Sequence, residues 1–225
     1  MMKIAVLGTG IVGRTLAGRL RGLGHEVVMG TRDVAGTLAK QKEDSPLTNW
    51  MKDHPDVPLK PFAAAASGSD MLVNCVGGLV SIAALEASGE ASLNGKLLID
   101  IANPLDFSQG MPPFLNPVNT DSLGEQIQKR FPELKVVKTL NTMNAHIMVD
   151  PSKVPGDHNV FVSGNDEGAK NEAKEILNSF GWKADQILDL GDITTARGTE
   201  MLLPVWLRLW QSLGTAEFNF HIQRK

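Results

Sequence analysis

A single cysteine, Cys75, stands in 225 residues, so no disulfide can form within the chain. With no signal-peptide-like segment ahead of the first predicted strand, the expected compartment is the reducing cytoplasm. No apolar run reaches the roughly 20 residues that a membrane helix needs. Charge of one sign is also scarce: 22 Lys and Arg against 25 Asp and Glu give a net −3. That balance offers no electrostatic case for nucleic acid or for an anionic membrane. The five histidines and one cysteine show no metal-ligand spacing, so no metal is expected. Internal repeats and low-complexity segments are missing too. What remains is a chain with 42% hydrophobic residues, enough for one large domain or a main domain with an appendage.

The most informative stretch is Lys3 to Gly24. Lys3-Ile4-Ala5-Val6-Leu7 reads as a parallel strand covered on both faces. Gly8-Thr9-Gly10-Ile11-Val12-Gly13 then fits G-x-G-x-x-G. Gly8 suits the tight turn, Gly10 lets backbone approach a pyrophosphate, and Gly13 allows the helix to pack on the strand. Phosphates would sit at the helix N-terminus, where free N–H groups and the positive dipole end favour anions. Val12, Leu16, Leu20 and Leu23 recur at helical spacing. A second strand, Glu26 to Met29, follows, so the motif has strand and helix on the correct sides for a dinucleotide-binding turn.

The end of that second strand selects the cofactor. An NAD site places an acid there for the ribose 2′-OH, whereas an NADP site needs a cation and small donors for the 2′-phosphate. Met29 and Gly30 are not acidic; Thr31 can donate a hydroxyl and Arg32 can pair with a phosphate. Asp33 falls one step late and reads as the N-cap of a helix over 34–40. The expected cofactor is therefore NADP(H).

Further along, strands are predicted over 71–76, 96–101, 135–140, 159–164 and 186–190, alternating with helices. The expected fold is α/β: a Rossmann-type, doubly wound, mostly parallel sheet with a small C-terminal α/β extension ending in an apolar helix. Residues 1–145 form the dinucleotide-binding part and 146–225 the extension packed on it. Val76, Gly77 and Gly78 end one strand and suit close approach of the cofactor, or make a plain turn into the next helix. Asn103-Pro104 forces an extended or turned backbone at another strand end, near the expected nicotinamide. Residues 106–119 could be a flap or an inert connection. Cys75 reads as packed rather than reactive. On the acceptor side the candidates are Asn103, Asn141, Asn144 and His146; the amides could bind an acceptor carbonyl or tie their own turn. His146 could donate to the acceptor or be structural. Lys174 and Asn178 have the spacing of a β-hydroxyacid dehydrogenase pair but sit on a charged helix that looks solvated. Residues 196–213 read as one apolar helix, buried in the core, lining the acceptor pocket, or pairing with a second subunit.

These pieces resemble a family in detail. GTGIVG with LGHEVVMGTR matches the amino-terminal signature of coenzyme-F420-dependent NADP oxidoreductases. DIANPL (100–105), TLNTMNAHIMVDP (139–151), HNVFVSGND (158–166) and DLGDITTARGTEMLLPVWLRLW (189–210) are similar to its bacterial branch. The resemblance implies that Gly8, Thr9, Gly10, Ile11, Val12, Gly13, Thr31 and Arg32 bind NADPH. It also implies that Val76-Gly77-Gly78 and Ala102-Asn103-Pro104 border the nicotinamide. It further implies hydride transfer between NADPH and F420 or a flavin-like acceptor, with ferric chelates and small carbonyls as alternatives, and a homodimer through the C-terminal helix. Such transfer needs two rings held in register with water excluded and little acid–base machinery, and no convincing catalytic dyad is present. A sensor that binds NADPH without turnover is the remaining class.

Overall fold

The computed structural model describes residues 1–42 and 45–225. Residues 43 and 44, within the polar segment 41–61, lie outside the described residues. The chain opens with strand β1 (Lys3–Leu7), helix α1 (Ile11–Gly22) and β2 (Glu26–Thr31). Next come α2 (Val34–Ala39), α3 (Pro46–Asp53), β3 (Leu59–Pro61), α4 (Phe62–Ser67), β4 (Met71–Asn74), α5 (Gly78–Ser88), α6 (Glu90–Leu93) and β5 (Leu97–Asp100). A two-stranded antiparallel ribbon, β6 (Leu105–Asp106) with β7 (Phe114–Leu115), occupies the Pro- and Gly-rich segment. Then follow α7 (Leu123–Arg130), β8 (Lys135–Thr139), α8 (Ala145–Met148), β9 (Val160–Gly164), α9 (Glu167–Phe180) and β10 (Ile187–Gly191). Two short helices, α10 (Ala196–Met201) and α11 (Leu203–Leu213), close the fold.

The main sheet has the order β3-β2-β1-β4-β5-β8-β9-β10. From β3 to β8 every neighbour is parallel, and the order reverses direction beside β1 as in a doubly wound nucleotide fold. β9 joins β8 antiparallel and β10 runs parallel to β9, so the extension continues the same sheet. Alternation along β1 explains the two layers. Ile4 and Val6 face Leu16 and Leu20 of α1, while Ala5 and Leu7 face Phe62 of α4 and Leu85 of α5.

Three elements differ from the sequence reading. β3 was hidden in a polar, Pro-rich stretch; it is a three-residue edge strand ending at Pro61, where a missing N–H costs no ladder bond. The strand predicted over 71–76 stops at Asn74, and the chain turns there towards α5. The single helix expected over 196–213 is two, because Pro204 sits in the first turn of α11 and cannot continue a helix from α10. Nor is α11 buried within the chain: of its residues only Leu203 is, while Val205, Trp210 and Leu213 are 49%, 46% and 56% exposed. Lys174, expected on a solvated face, is half-buried and pairs with Asp189 of β10 at 2.7 Å.

Candidate functional site

The β1–α1 turn divides its three glycines between building and opening. Gly8 has φ +114°, a conformation open to glycine, and a Cβ there would lie 2.7 Å from the Cys75 carbonyl oxygen. A Cβ on Gly13 would lie 2.2 Å from the Gly8 carbonyl oxygen. Gly10, the N-cap, has nothing within 4 Å of its Cβ position. Space therefore opens directly above the first turn of α1. That turn holds no acidic residue and receives no side-chain cap, so its free N–H groups face the space. Arg14 Nη1 donates to the Thr9 carbonyl at 2.8 Å and steadies the loop.

The opening leads into a cleft of about 590 Å³. Its walls include Gly8, Thr9, Gly10, Thr31, Arg32, Val76 and Gly77; Ile11, Val12, Gly13, Gly78, Ala102, Asn103 and Pro104 lie outside them. Thr31 Oγ1 and Thr37 Oγ1 are 2.8 Å apart. Arg32 is exposed and makes no ion pair or hydrogen bond among the described residues. Lys40 also lines the cleft and escaped the sequence reading. The available signal was its spacing: Thr37 and Lys40, three apart, share a face of the helix predicted over 34–40. Asp33 is the N-cap residue of α2, as expected, but its carboxylate makes no capping hydrogen bond. It lies over Gly36, where a Cβ would be 2.3 Å from Oδ2. Cys75 is in the cleft wall, yet burial, and then the Asp100 charge, pushes its thiol far above the usual range, which disfavours the nucleophilic thiolate.

Behind the cleft the two strand-end segments touch. A Cβ on Gly78 would lie 2.2 Å from the Asn103 carbonyl oxygen, so this glycine is required by the approach of Asn103-Pro104. Asn103 Nδ2 donates to the Asn141 carbonyl (2.8 Å), and Asn141 Nδ2 donates to Asn103 Oδ1 (3.0 Å). These amides tie two loops together. Asn144 accepts from the His146 N–H at 2.9 Å and so caps α8. His146 is exposed, and neither it nor Asn144 is in the cleft wall.

Beneath those segments lies a buried charge cluster that sequence reasoning missed. Lys138 Nζ contacts Asp100 Oδ2 at 2.7 Å and Glu200 Oε1 at 2.8 Å, and donates to the Ala102 carbonyl at 2.6 Å. Asp100 Oδ1 accepts from Asn74 Nδ2 (2.8 Å) and the Ala102 N–H (3.2 Å). Asn74 Nδ2 also reaches Ser81 Oγ at 2.9 Å. Glu200 accepts from the Leu123 and Gly124 N–H groups at the start of α7 (2.9 and 3.1 Å). Burial alone would push the Lys138 ammonium down. Asp100 and Glu200, by charge and hydrogen bonding, outweigh it and hold the ammonium above the ordinary lysine range. One signal existed: Asp100 and Lys138 are register partners at the carboxyl ends of neighbouring strands.

Comparison with known proteins follows the same lines. The family model described as "NADP oxidoreductase coenzyme F420-dependent" matches residues 3–104. A solved structure from Arthrobacter sp. FB24, described as a putative F420-dependent NADP-reductase, is 63% identical, covers 100% of both chains and superposes with a TM-score of 0.96. The F420-dependent NADP reductase of Methanocaldococcus jannaschii is 27% identical over 221 residues, 95% of this chain and 96% of that one. Metalloreductase STEAP3 of Rattus norvegicus is 27% identical over 208 residues, 91% of this chain; the chain spans only 38% of that relative's length.

Proposed function

The chain belongs to the coenzyme-F420-dependent NADP oxidoreductase family, and from that premise we propose that it transfers a hydride between NADPH and a second ring cofactor, F420 or a flavin-like acceptor. The observation that carries the reading is the cleft, where an open Gly10 cradle above free helix N–H groups meets Arg32, unpaired among the described residues. Gly8 to Gly13 would hold the pyrophosphate, while Thr31, Arg32 and Lys40 would take the 2′-phosphate. Bound NADPH supplies the hydride. The protein's part is to bind, to orient and to keep water out.

The strand-end side favours a ring acceptor over a carbonyl. Reduction of a carbonyl needs a proton donor, and the amides there are engaged, Asn103 with Asn141 and Asn144 with its own helix, while His146 is exposed and outside the cleft wall. We also take residues 1–145 as the nucleotide-binding part and 146–225 as an extension that supports it, with the exposed apolar face of α11 covered by a second subunit. The free, partly buried thiol of Cys75 suits a reducing compartment such as the cytoplasm.

The test offers NADPH together with F420, FMN, ferric citrate and a small ketone in parallel. Oxidation of NADPH with F420 or FMN is expected. Oxidation with ferric citrate alone, or tight binding without any turnover, overturns the ring-acceptor reading. For the dimer, Val205→Asp with Trp210→Asp should halve the mass in light scattering; an unchanged mass removes it.

A further inference from the structure

We infer that Lys138, together with Asp100 and Glu200, is a positioning residue that sets where segments 76–78 and 102–104 stand against the nicotinamide end of NADPH. The inference rests on the proposed placement of that ring beside those segments. Four outlets of the buried network carry it. Lys138 Nζ holds the Ala102 carbonyl (2.6 Å), and Asp100 Oδ1 holds the Ala102 N–H (3.2 Å). Asn74 Oδ1 accepts from the Val76 N–H (3.4 Å), and Ser81 Oγ donates to the Gly77 carbonyl (3.3 Å). Asn74 joins the two halves, since its Nδ2 reaches both Asp100 and Ser81. One hydrogen-bonded chain therefore fixes both strand ends from below, and Gly78 against Asn103 fixes the contact between them.

Stability alone is a poor reason for such a cluster. One ammonium and two carboxylates, none more than 3% exposed at the side chain, are removed from water where apolar residues would serve as well or better. What the charges add is direction: each outlet is a particular N–H or carbonyl of a segment facing the cofactor. Glu200 is the informative member. It belongs to α10, makes no hydrogen bond or ion pair to either strand-end segment among the described residues, and joins their polar network through Lys138, its other partners being the Leu123 and Gly124 N–H groups of α7. A change at Glu200 reaches the nicotinamide through Lys138 or through the start of α7, whereas Ser81→Ala acts on the network without touching α7.

The experiment uses the full chain with two variants, Glu200→Gln and Ser81→Ala, and two probes. NADPH is followed by its nicotinamide fluorescence, and adenosine 2′,5′-bisphosphate by calorimetry as a probe of the phosphate side alone. Both variants should change the intensity and maximum of bound nicotinamide emission and weaken NADPH by about 2- to 10-fold. Affinity for adenosine 2′,5′-bisphosphate should stay unchanged. Folded variants with unaltered emission and NADPH affinity overturn the inference, as does equal loss of both ligands, which would mean general loosening. Should Glu200→Gln not fold, Ser81→Ala, which keeps all three charges, decides alone. If the unsubstituted protein binds adenosine 2′,5′-bisphosphate and NADPH without any change in nicotinamide emission, the proposed placement of the ring is wrong, and the inference falls with it for that separate reason.

Discussion

The two ends of the proposed NADPH site, the cleft and the strand-end network behind it, are built on opposite terms. At the phosphate end, Arg32 is exposed and unpaired among the described residues, Lys40 sits on the surface beside it, and Gly10 opens onto empty space. At the strand-end side, Lys138, Asp100 and Asn74 are almost wholly buried, and each makes two or more polar contacts. On the reading proposed above the first end recognises charge, so its groups can wait in water at little cost and act when a phosphate arrives. The second end sets geometry, so its groups must be fixed beforehand, and they are part of the core. Affinity should therefore be separable from stability at one end and inseparable from it at the other.

The sharpest test of that contrast is Lys138→Met. It leaves Asp100 and Glu200 buried without their cation, which costs about 3–5 kcal/mol. For a chain of this size the melting temperature should fall by roughly 6–20 °C. A shift of only a degree or two in thermal denaturation would mean the cluster relaxes or admits water, and the contrast would fail. Arg32→Ala is the counterpart. It should leave the melting temperature alone and weaken NADPH by about 10- to 100-fold, the range of a charge-assisted contact, while NADH binding changes little. Equal loss for both nucleotides in calorimetry would show that Arg32 does not read the 2′-phosphate. Lys40→Ala should act in the same direction.

Two glycines repeat the contrast at the scale of one methyl group. Gly78→Ala forces a Cβ against the Asn103 carbonyl, so the segments must part, at about 1–3 kcal/mol of stability. Gly10→Ala meets nothing in the protein and should fold normally, yet it fills the space where a pyrophosphate would lie. Normal folding of Gly78→Ala with unchanged NADPH binding would show that the contact between the two segments is loose.

Legibility in the sequence followed the same division. The proposed phosphate end is local: Gly8 to Gly13 and Thr31-Arg32 lie in one continuous β-α-β stretch, so motif and spacing alone nominate it. The doubly wound order followed from strands and helices that alternate. The strand-end network was not legible because its members come from β4, α5, β5, β8 and α10, up to 126 positions apart between Asn74 and Glu200. In the run KVVKTL, Lys138 looks like any lysine in a strand until its neighbours are known. The tail was not legible for a different reason. Its apolar residues fit burial in the core, the lining of a pocket or a subunit contact equally well, and only the structure shows that Pro204 breaks the helix and that α11 lies exposed along one side. Of the two amides that could tie their own turn or meet an acceptor, Asn144 caps α8, whereas Asn141 bonds across to Asn103 in another loop.

The smallest expected effect concerns pH. The folded protein holds the Lys138 ammonium above its ordinary value of 10.5, because Asp100 and Glu200 outweigh its burial. A group whose value is raised on folding lends its full stability below the unfolded value, and that stability is lost as pH rises through the folded one. The unfolded lysine titrates near pH 10.4. The gap in melting temperature between the unsubstituted protein and Lys138→Met should thus stay constant across neutral and mildly alkaline pH, and begin to close only above about pH 10.4. Arg32→Ala, at the phosphate end, should track the unsubstituted protein throughout. A gap that closed near neutrality would mean that Lys138 is not held as a cation, and the strand-end side would then be set by packing rather than by charge.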